Sequence, residues 1–209
     1  MKIFLSLLSI LLLLTACSRS SYLSLKNNNK KQVIAFQPLG NYNEPILEHL
    51  TIDLRDFYNK QVIIFNPVDI PREYYNENAG QYSGDSLIMF LKTFLNDTIV
   101  EVVGLIHDPV FTMKKTQISR IDYIDGNLLG IGHQPGKTCL VSDFNLKTEY
   151  ETLYYLRLRK VVIHEIGHNL GLSHCTNDKC IMSEKNGSVI NLDNNGSDYC
   201  QKCKKILYN

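Results

Sequence analysis

The sequence lacks an excess of charge of either sign. Its 209 residues include 22 lysines and arginines against 21 aspartates and glutamates. A nearly neutral chain gives no reason to expect nucleic acid as a partner. The sequence also has no internal repeat, and its length suits one hydrophobic core rather than two. These absences favour a single globular domain that does not bind nucleic acid.

The chain also lacks an apolar run long enough to cross a bilayer comfortably. The run from Ile3 to Leu14 is shorter than the roughly 20 residues of a transmembrane helix. One lysine precedes it, which is typical of a secretion signal. The run closes on Leu14-Thr15-Ala16-Cys17, which resembles the bacterial lipobox. We therefore expect cleavage before Cys17 and a lipid on its thiol, and the alternative is an uncleaved signal anchor with an incidental cysteine.

The lipobox divides the chain into three parts. Residues 1–16 are predicted to be a lipoprotein signal peptide. Residues 17–31 are polar, with little to bury, and are predicted to form a tether. Residues 32–209 form the predicted globular domain. On this interpretation the protein is an extracytoplasmic, membrane-anchored bacterial lipoprotein that contacts the membrane through Cys17.

Apolar patterning within the domain predicts strands that alternate with helices. The predicted strands are 32–40, 61–68, 98–106 and 137–146, and the predicted helices are 43–59, 83–96 and a long segment 148–172. This order favours an α/β fold with a mainly parallel sheet covered by helices. Residues 109–136 are less regular. The tail beyond Gly187 has no periodicity, and we expect it to need a metal or disulfides to hold it.

The stretch HEIGHNLGLSHCTNDKCIM, which begins at His164, concentrates metal-binding side chains. His164 and His168 are four residues apart and share one face of a helix. Gly171 allows the helix to stop, so that His174 can turn back as a third ligand. Three nitrogens leave a fourth tetrahedral position for water, which is the arrangement of a catalytic zinc. Glu165 is placed to take a proton from that water.

Four cysteines predict a second metal site. Cys175 and Cys180 form one close pair, and Cys200 and Cys203 form a C-x-x-C pair near the C-terminus. Two such pairs separated by a loop are typical of a four-thiolate zinc site. Because cysteines can oxidise in the predicted compartment, disulfides within each pair remain an alternative. Cys139 lies on a predicted strand and is expected to be a small buried residue, not a ligand.

The remaining histidines and one glycine have ordinary expected roles. His49, His107 and His133 have no partner at ligand spacing, so we expect surface or core roles for them. Gly167 lies inside the predicted metal-binding helix, where glycine costs about 1 kcal/mol relative to alanine. We attribute it to close packing of the helix against the sheet.

The full pattern resembles the signature of the archaemetzincin family. That signature is HExxHxxGxxHC, then four residues and Cys, one residue and Met, seventeen residues and a final C-x-x-C. The chain matches every fixed position: His164, Glu165, His168, Gly171, His174, Cys175, Cys180, Met182, Cys200 and Cys203. The resemblance implies a compact single metzincin-like domain with a mixed twisted sheet covered by helices, a long active-site helix and a zinc-stabilised C-terminal segment.

The resemblance also implies two zinc ions. The catalytic zinc would be held by His164, His168 and His174, and the structural zinc by Cys175, Cys180, Cys200 and Cys203. Met182 would be the Met-turn residue, an apolar floor beneath the catalytic metal. In metzincins an extended substrate lies antiparallel along an edge strand of the sheet, and residues 139–144 are the predicted edge.

Together these features predict a zinc metallopeptidase tethered to a membrane by lipid. Zinc-activated water would attack a peptide bond, with Glu165 as general base. The expected partners are a peptide or protein substrate and the membrane, and the chain is expected to be a monomer. One alternative is a non-catalytic zinc-binding or peptide-binding lipoprotein. Another is a purely structural role for both metals, which gives no reason for Glu165.

Overall fold

The computed structural model of the chain describes residues 23–25, 32–42, 45–115, 121–124, 128–185 and 187–208. The predicted signal peptide, Cys17 and most of the predicted tether lie outside the described residues. Residues 23–25 of that tether are described, and Leu23 is buried in the same core as Ile34 and Phe36. The prediction that residues 17–31 have little to bury is therefore wrong at Leu23. None of the helices in the described part of the chain combines the length and the apolar character that a membrane crossing requires.

The described residues form nine strands and five helices. In chain order these are β1 (Val33–Pro38), α1 (Ile46–Tyr58), β2 (Gln61–Ile64), β3 (Tyr75–Asn76), β4 (Gln81–Ser83), α2 (Gly84–Leu91), β5 (Ile99–Ile106), β6 (Val110–Lys115), β7 (Ile121–Ile124), β8 (Gly130–Gly132), β9 (Thr138–Ser142), α3 (Glu151–Asn169), α4 (Val189–Asn194) and α5 (Gln201–Tyr208).

A five-stranded sheet forms the centre of the domain, in the order β2-β1-β5-β9-β8. The pairs β1 with β2, β1 with β5, and β5 with β9 are parallel. Only β8 runs antiparallel to its neighbour β9. The prediction of an α/β fold with a mainly parallel, mixed sheet is therefore confirmed. A second, four-stranded sheet has the order β3-β4-β6-β7 and lies beside α2.

Helices cover both faces of the central sheet. Since neighbouring residues of a strand point to opposite faces, each strand contributes side chains to both of the cores that form there. Ile34 and Phe36 of β1 pack into a core with the buried residues of α1 and α3. Ala35, between them, packs into a second core with Leu87 and Leu91 of α2. The near-continuous burial of β1, β5 and β9 is what a sheet covered on both faces requires. This packing places α3, which carries the histidine motif, directly against the sheet.

The prediction that residues 139–144 form the edge of the sheet is wrong. Strand β9 lies inside the sheet, paired with β5 on one side and β8 on the other, and all its residues are buried. The edge strand on this side of the sheet is β8, three residues with the sequence Gly130-Ile131-Gly132. Two glycines in three positions show no alternation of apolar and polar residues, so the strand has no recognisable sequence pattern.

The C-terminal tail contains two short helices that sequence periodicity did not predict. Ser188 caps α4 by accepting a hydrogen bond from the Asn191 backbone. Buried Lys160 of α3 donates from Nζ to the carbonyls of Leu192 and Asn195 at 2.7 and 2.8 Å, at the C-terminal half of α4. These bonds satisfy the free carbonyls of a helix end. They fix α4 to α3.

Candidate active site

Helix α3 ends where the sequence predicted that it would turn. Its last residue is Asn169, and Gly171 adopts φ +95°, a conformation that favours glycine. The Leu172 amide bonds to the Gly167 carbonyl at 2.9 Å and closes the helix end. The reversal at Gly171 turns the chain back toward the helix, so that His174 can approach the two histidines on α3.

The structure brings the three predicted histidine ligands together. The ring of His174 lies 5.3 Å from the ring of His164 and 4.8 Å from that of His168, between centroids. One nitrogen from each of the three rings lies within 4.8 Å of the others. The Nε2 atoms of His164 and His168 are 3.1 Å apart. Two ligands on a tetrahedral zinc, each at about 2.0–2.1 Å, are separated by about 3.3–3.4 Å, so this spacing suits one shared ion.

Hydrogen bonds orient the two helical imidazoles. His164 Nδ1 lies 2.8 Å from the Ile181 carbonyl, and His168 Nδ1 lies 2.8 Å from the Leu172 carbonyl. A carbonyl oxygen only accepts, so each Nδ1 carries the proton and donates it. In the neutral rings both Nε2 atoms then present lone pairs to each other, which is repulsive unless a cation lies between them. The residues therefore fit a metal ion, and their carbonyl partners are of the kind that orient metal-binding histidines.

The surroundings keep these imidazoles neutral, which is the form that binds metal. Burial lowers the pKa of His164 to about 4, and the neighbouring rings of His168 and His174 act in the same direction against the bond to Ile181. Burial also lowers the pKa of His168. The site therefore favours ligand nitrogens without protons at neutral pH.

Glu165 lies between α3 and the edge strand β8. Its side chain is buried, and burial raises its pKa to about 8. A Cβ added at Gly132 would stand 3.1 Å from Glu165 Oε2. The glycines of β8 thus leave space for the carboxylate. Among the described residues, none donates a hydrogen bond to it in the structure.

A cleft of about 300 Å³ is lined by Glu165 and by the three histidines His164, His168 and His174. Its walls also include β8 and, from the helices α3 and α4, the apolar side chains of Val161 and Leu192. Glu184 and Gly187 line the rim. The cleft therefore combines three convergent imidazoles, one buried carboxylate and an apolar wall beside a strand edge.

The four C-terminal cysteines form a second group. Their sulfurs lie within 4.8 Å of one another, with Cys175 and Cys200 at 3.8 Å and Cys180 and Cys203 at 3.7 Å. A tetrahedral zinc with sulfurs at about 2.3 Å requires edges of about 3.8 Å. The four side chains therefore fit one ion. The thiols are free, and the contacts at 3.8 and 3.7 Å each join a cysteine of one pair to a cysteine of the other, so the alternative disulfides within each pair are not formed in the structure.

Met182 and Gly167 meet beneath the histidine motif. Met182 is fully buried, and a Cβ added at Gly167 would collide with its Sδ and come within 3.2 Å of Tyr199 Cε1. Glycine therefore leaves room for the C-terminal segment to pack against the helix backbone. The prediction that Gly167 packs against the sheet is wrong. The Tyr199 hydroxyl also bonds to the Ile163 carbonyl at 2.9 Å, which holds the segment in place.

Sequence reasoning missed two groups that support the end of α3. Gln134 donates from Nε2 to the Gly171 carbonyl at 3.0 Å and to Ser173 Oγ at 2.6 Å. Asn169 donates to the fully buried Glu101 at 2.5 Å. These partners are far apart in the chain, and nothing in the local pattern around residues 101 or 134 indicates them.

The other residues singled out from the sequence stay outside both groups. Cys139 is fully buried on β9, near Glu101 at 3.8 Å, in accord with its expected role. His49 and His133 are exposed. His107 contacts the buried carboxylate of Asp143 at 2.9 Å and stacks on Tyr42. In the described part of the chain, none of the three histidines belongs to a metal-binding group.

Comparisons with known proteins agree with this geometry. The model of Peptidase family M54 matches residues 30–209. The archaemetzincin of Methanocaldococcus jannaschii is 31% identical over 183 residues, which cover 83% of this chain and 92% of that protein. The archaemetzincin of Archaeoglobus fulgidus is 30% identical over 177 residues, covering 84% and 99%.

Solved structures show the same fold. The crystal structure of the Archaeoglobus fulgidus archaemetzincin in complex with malonate has a TM-score of 0.68 at 27% identity and covers 84% of this chain and 99% of that one. The Methanopyrus kandleri archaemetzincin has a TM-score of 0.69 at 21% identity, covering 86% and 95%. The fold and site are those of a zinc metallopeptidase, a hydrolase of peptide bonds. The chain belongs to peptidase family M54, the archaemetzincins.

Proposed function

We propose that this metallopeptidase hydrolyses peptide bonds with Glu165 as its general base. The observation that carries the proposal is the position of the Glu165 carboxylate, which is buried in the cleft that the three histidines line. Glu165 directly follows His164 in the chain, but its carboxylate is not one of the three ligands that converge. A structural metal site has no use for such a carboxylate, whereas hydrolysis requires a group that accepts and returns a proton.

Each group in the cleft has a separate task. His164, His168 and His174 would hold a zinc ion, whose positive charge would polarise the substrate carbonyl, acidify water and favour the ionised form of Glu165 against the effect of its burial. Ionised Glu165 accepts a proton from the attacking water as the water oxygen bonds to the carbonyl carbon. Glu165 then gives that proton to the amide nitrogen as the C–N bond breaks, so that the amine leaves and the Glu165 carboxylate is restored. The buried position excludes bulk water from this proton transfer.

The edge strand β8 is the proposed docking strand for the substrate. It pairs with β9 on one side, and no strand of the described residues pairs with its other side. An extended peptide can add there by main-chain hydrogen bonds. Its side chains would then meet the apolar wall that includes Val161 and Leu192. The substrate is thus proposed to be an extended stretch of peptide or protein.

We also propose that the chain holds two zinc ions. The first is the catalytic ion of the three histidines. The second is a structural ion held by Cys175, Cys180, Cys200 and Cys203, whose sulfur spacing suits a tetrahedral ion. Met182 would form the apolar floor beneath the catalytic ion, in accord with its burial against Gly167.

The lipobox supports a proposal about location. A lipid on Cys17 would anchor the chain to a membrane, with the polar residues that follow it as the tether and the peptidase domain outside the cytoplasm. A monomer suffices for the proposed chemistry, because one chain contributes every group of the cleft.

The test of the function is a cleavage assay. Full-length protein in detergent is incubated with a mixture of peptides, with and without a chelator, and new termini are identified by mass spectrometry. The proposal predicts new termini that disappear with the chelator and return with added zinc. Retention of peptides on the zinc-loaded protein without any new termini would favour the alternative, a peptide-binding lipoprotein without turnover.

A further inference from the structure

Residues 174–182 form a connecting segment between the histidine site and the cysteine cluster. The cysteine cluster is the group of Cys175, Cys180, Cys200 and Cys203. His174, the third histidine, is joined by a peptide bond to Cys175, whose Sγ lies 3.8 Å from that of Cys200. A change in the position of the Cys175 backbone therefore moves the His174 backbone as well.

A second connection runs through His164. Its Nδ1 donates to the carbonyl of Ile181 at 2.8 Å, and Ile181 directly follows Cys180. That carbonyl fixes the tautomer and the orientation of the His164 ring. The cluster thus lies one residue from the orienting partner of His164 and one residue from His174 itself. Two of the three histidines depend on backbone next to a cysteine of the cluster.

Backbone hydrogen bonds make the connecting segment a closed unit. The Cys175 amide donates to the Met182 carbonyl at 2.7 Å, and the Glu184 amide donates to the Cys175 carbonyl at 3.1 Å. The Ser183 amide donates to the Cys180 carbonyl at 2.9 Å. Because these bonds tie both ends of the segment together, Cys175 and Cys180 cannot move independently of the residues that support the histidines.

His174 is the histidine with the least other support. Its side chain is exposed, whereas His164 is buried. Within the described ranges, its ring has no hydrogen bond of the kind that orients His164 and His168. The preceding loop is held by Gln134, which bonds to the Gly171 carbonyl and the Ser173 hydroxyl. On the following side, Cys175 is the first residue that fixes the chain.

We propose that occupancy of the cysteine cluster sets the metal affinity of the histidine site, with Cys175 and Cys180 as positioning residues. An ion on the four sulfurs would hold Cys175 and Cys180 at a fixed separation. It would thereby hold His174 and the Ile181 carbonyl, which orients His164, at the positions where the three histidines can share one ion. Without that ion, no coordinate bond links the four sulfurs, so the cluster no longer restrains the segment. The inference rests on the two-ion arrangement proposed above.

The structure allows the cluster to be emptied without changing the connecting segment. Cys200 and Cys203 contribute half of the cluster, yet they lie in a different part of the chain, with Cys203 on α5. Neither residue adjoins a histidine ligand or Ile181. The double variant Cys200→Ser with Cys203→Ser therefore removes the second ion while every residue from His174 to Met182 stays as it is. Cys139→Ser is the matched control, since it makes the same change outside the cluster.

The test titrates the metal-free, full-length protein with Co²⁺. Charge-transfer absorption from thiolate to cobalt reports the cluster, and calorimetry of the same titration gives the dissociation constant of the histidine site. Loss of an orienting partner typically weakens metal binding by about 10- to 100-fold. We expect a loss in that range at the histidine site of the double variant and no comparable loss in Cys139→Ser. An unchanged dissociation constant in a folded double variant would overturn the coupling.

A second variant keeps the test decisive if the double variant does not fold, as judged by circular dichroism. Coupling between two sites is reciprocal. His168→Ala removes a ligand whose ring partner is Leu172 and not the connecting segment. It should weaken Co²⁺ binding at the cysteine cluster by a similar factor, and unchanged cluster affinity would contradict the proposal.

Two results distinguish a failure of the two-ion proposal from a failure of the coupling. If the wild-type protein shows no thiolate-to-cobalt absorption, the proposed second ion is absent and the coupling falls with it. If the cluster binds Co²⁺ and the histidine site keeps its affinity when the cluster is empty, the two-ion proposal stands and the coupling alone is wrong.

Discussion

The backbone of Gly130 lies directly against the side chain of Glu165. A Cβ added at Gly130 would stand 2.7 Å from both Cγ and Oε1 of the glutamate, closer than real Cβ contacts allow. The edge strand therefore approaches the proposed general base as closely as glycine permits. The same strand both receives the substrate, on our proposal, and limits where the carboxylate can lie.

Gly130→Ala should lower the turnover number while the zinc content stays the same. The added methyl group displaces the Glu165 carboxylate but lies on a strand that supplies no metal ligand. A misplacement of about 1 Å can cost on the order of 100-fold in rate. The measurement is kcat with a cleaved peptide, together with zinc per chain.

Gly187→Ala is the control for this change. Gly187 lines the same cleft, and a Cβ there would have no heavy atom within 4 Å. It should keep wild-type kcat. Equal rates for Gly130→Ala and Gly187→Ala would show that the close approach to Glu165 has no part in turnover.

Glu165→Gln should keep zinc and lose turnover. Glutamine has nearly the same shape but cannot accept the proton of the attacking water. Loss of a general base typically costs about 10²- to 10⁴-fold in rate. The measurement is again kcat with metal content by atomic emission. Glu184→Gln, on the rim of the same cleft, is the matched control and should retain activity. Undiminished cleavage by zinc-loaded Glu165→Gln would refute the assigned role.

The buried carboxyl group of Glu101 should make stability depend on pH. Burial raises its pKa from 4.5 to about 8, in spite of the bonds from Asn169 and Cys139. Between these values the folded protein holds a proton that the unfolded chain has lost. The stability that neutral Glu101 contributes is therefore fully present below about pH 4.5. It is lost as pH rises toward 8, by at most about 1.4 kcal/mol per pH unit.

Glu101→Gln tests this pH dependence. The amide has no proton to lose, so the variant should lack this part of the slope and should gain stability relative to wild type as pH rises from 5 to 8. Urea unfolding of metal-free protein at several pH values measures the difference in free energy of unfolding. A difference that stays constant over this range would show that Glu101 ionises alike in both states.

Cys17→Ser should release the protein from the membrane. Serine has no thiol to acylate, so incorporation of labelled fatty acid should be lost and the chain should leave the membrane fraction. Cys139→Ser, a buried cysteine outside the lipobox, should keep the label. Membrane association that survives without Cys17 would favour the uncleaved signal anchor.

The histidine site could be predicted because its geometry is local. Positions 164 and 168 share a helix face by periodicity alone, and Gly171 signals the reversal that returns His174. The core strands were predictable for the same reason, since runs such as residues 98–106 are apolar and bounded by turn residues. These features depend on neighbours along the chain.

The missed features depend on contacts between distant residues. Strand β8 is too short and too rich in glycine to show a pattern, so the sequence predicts the edge at the interior strand β9. Nothing in the sequence places Met182 against Gly167, so the sequence alone favours the sheet as the packing partner of this glycine. Gln134 bonds to Gly171 and Ser173 across more than thirty residues. Such contacts are fixed by tertiary packing, which local propensity does not encode.

An anomalous diffraction map at the zinc absorption edge tests the central claim most directly. We predict a peak among the ring nitrogens of His164, His168 and His174, and a second peak among the sulfurs of the cysteine cluster. No peak at the three histidines in crystals of active, zinc-loaded protein would contradict it.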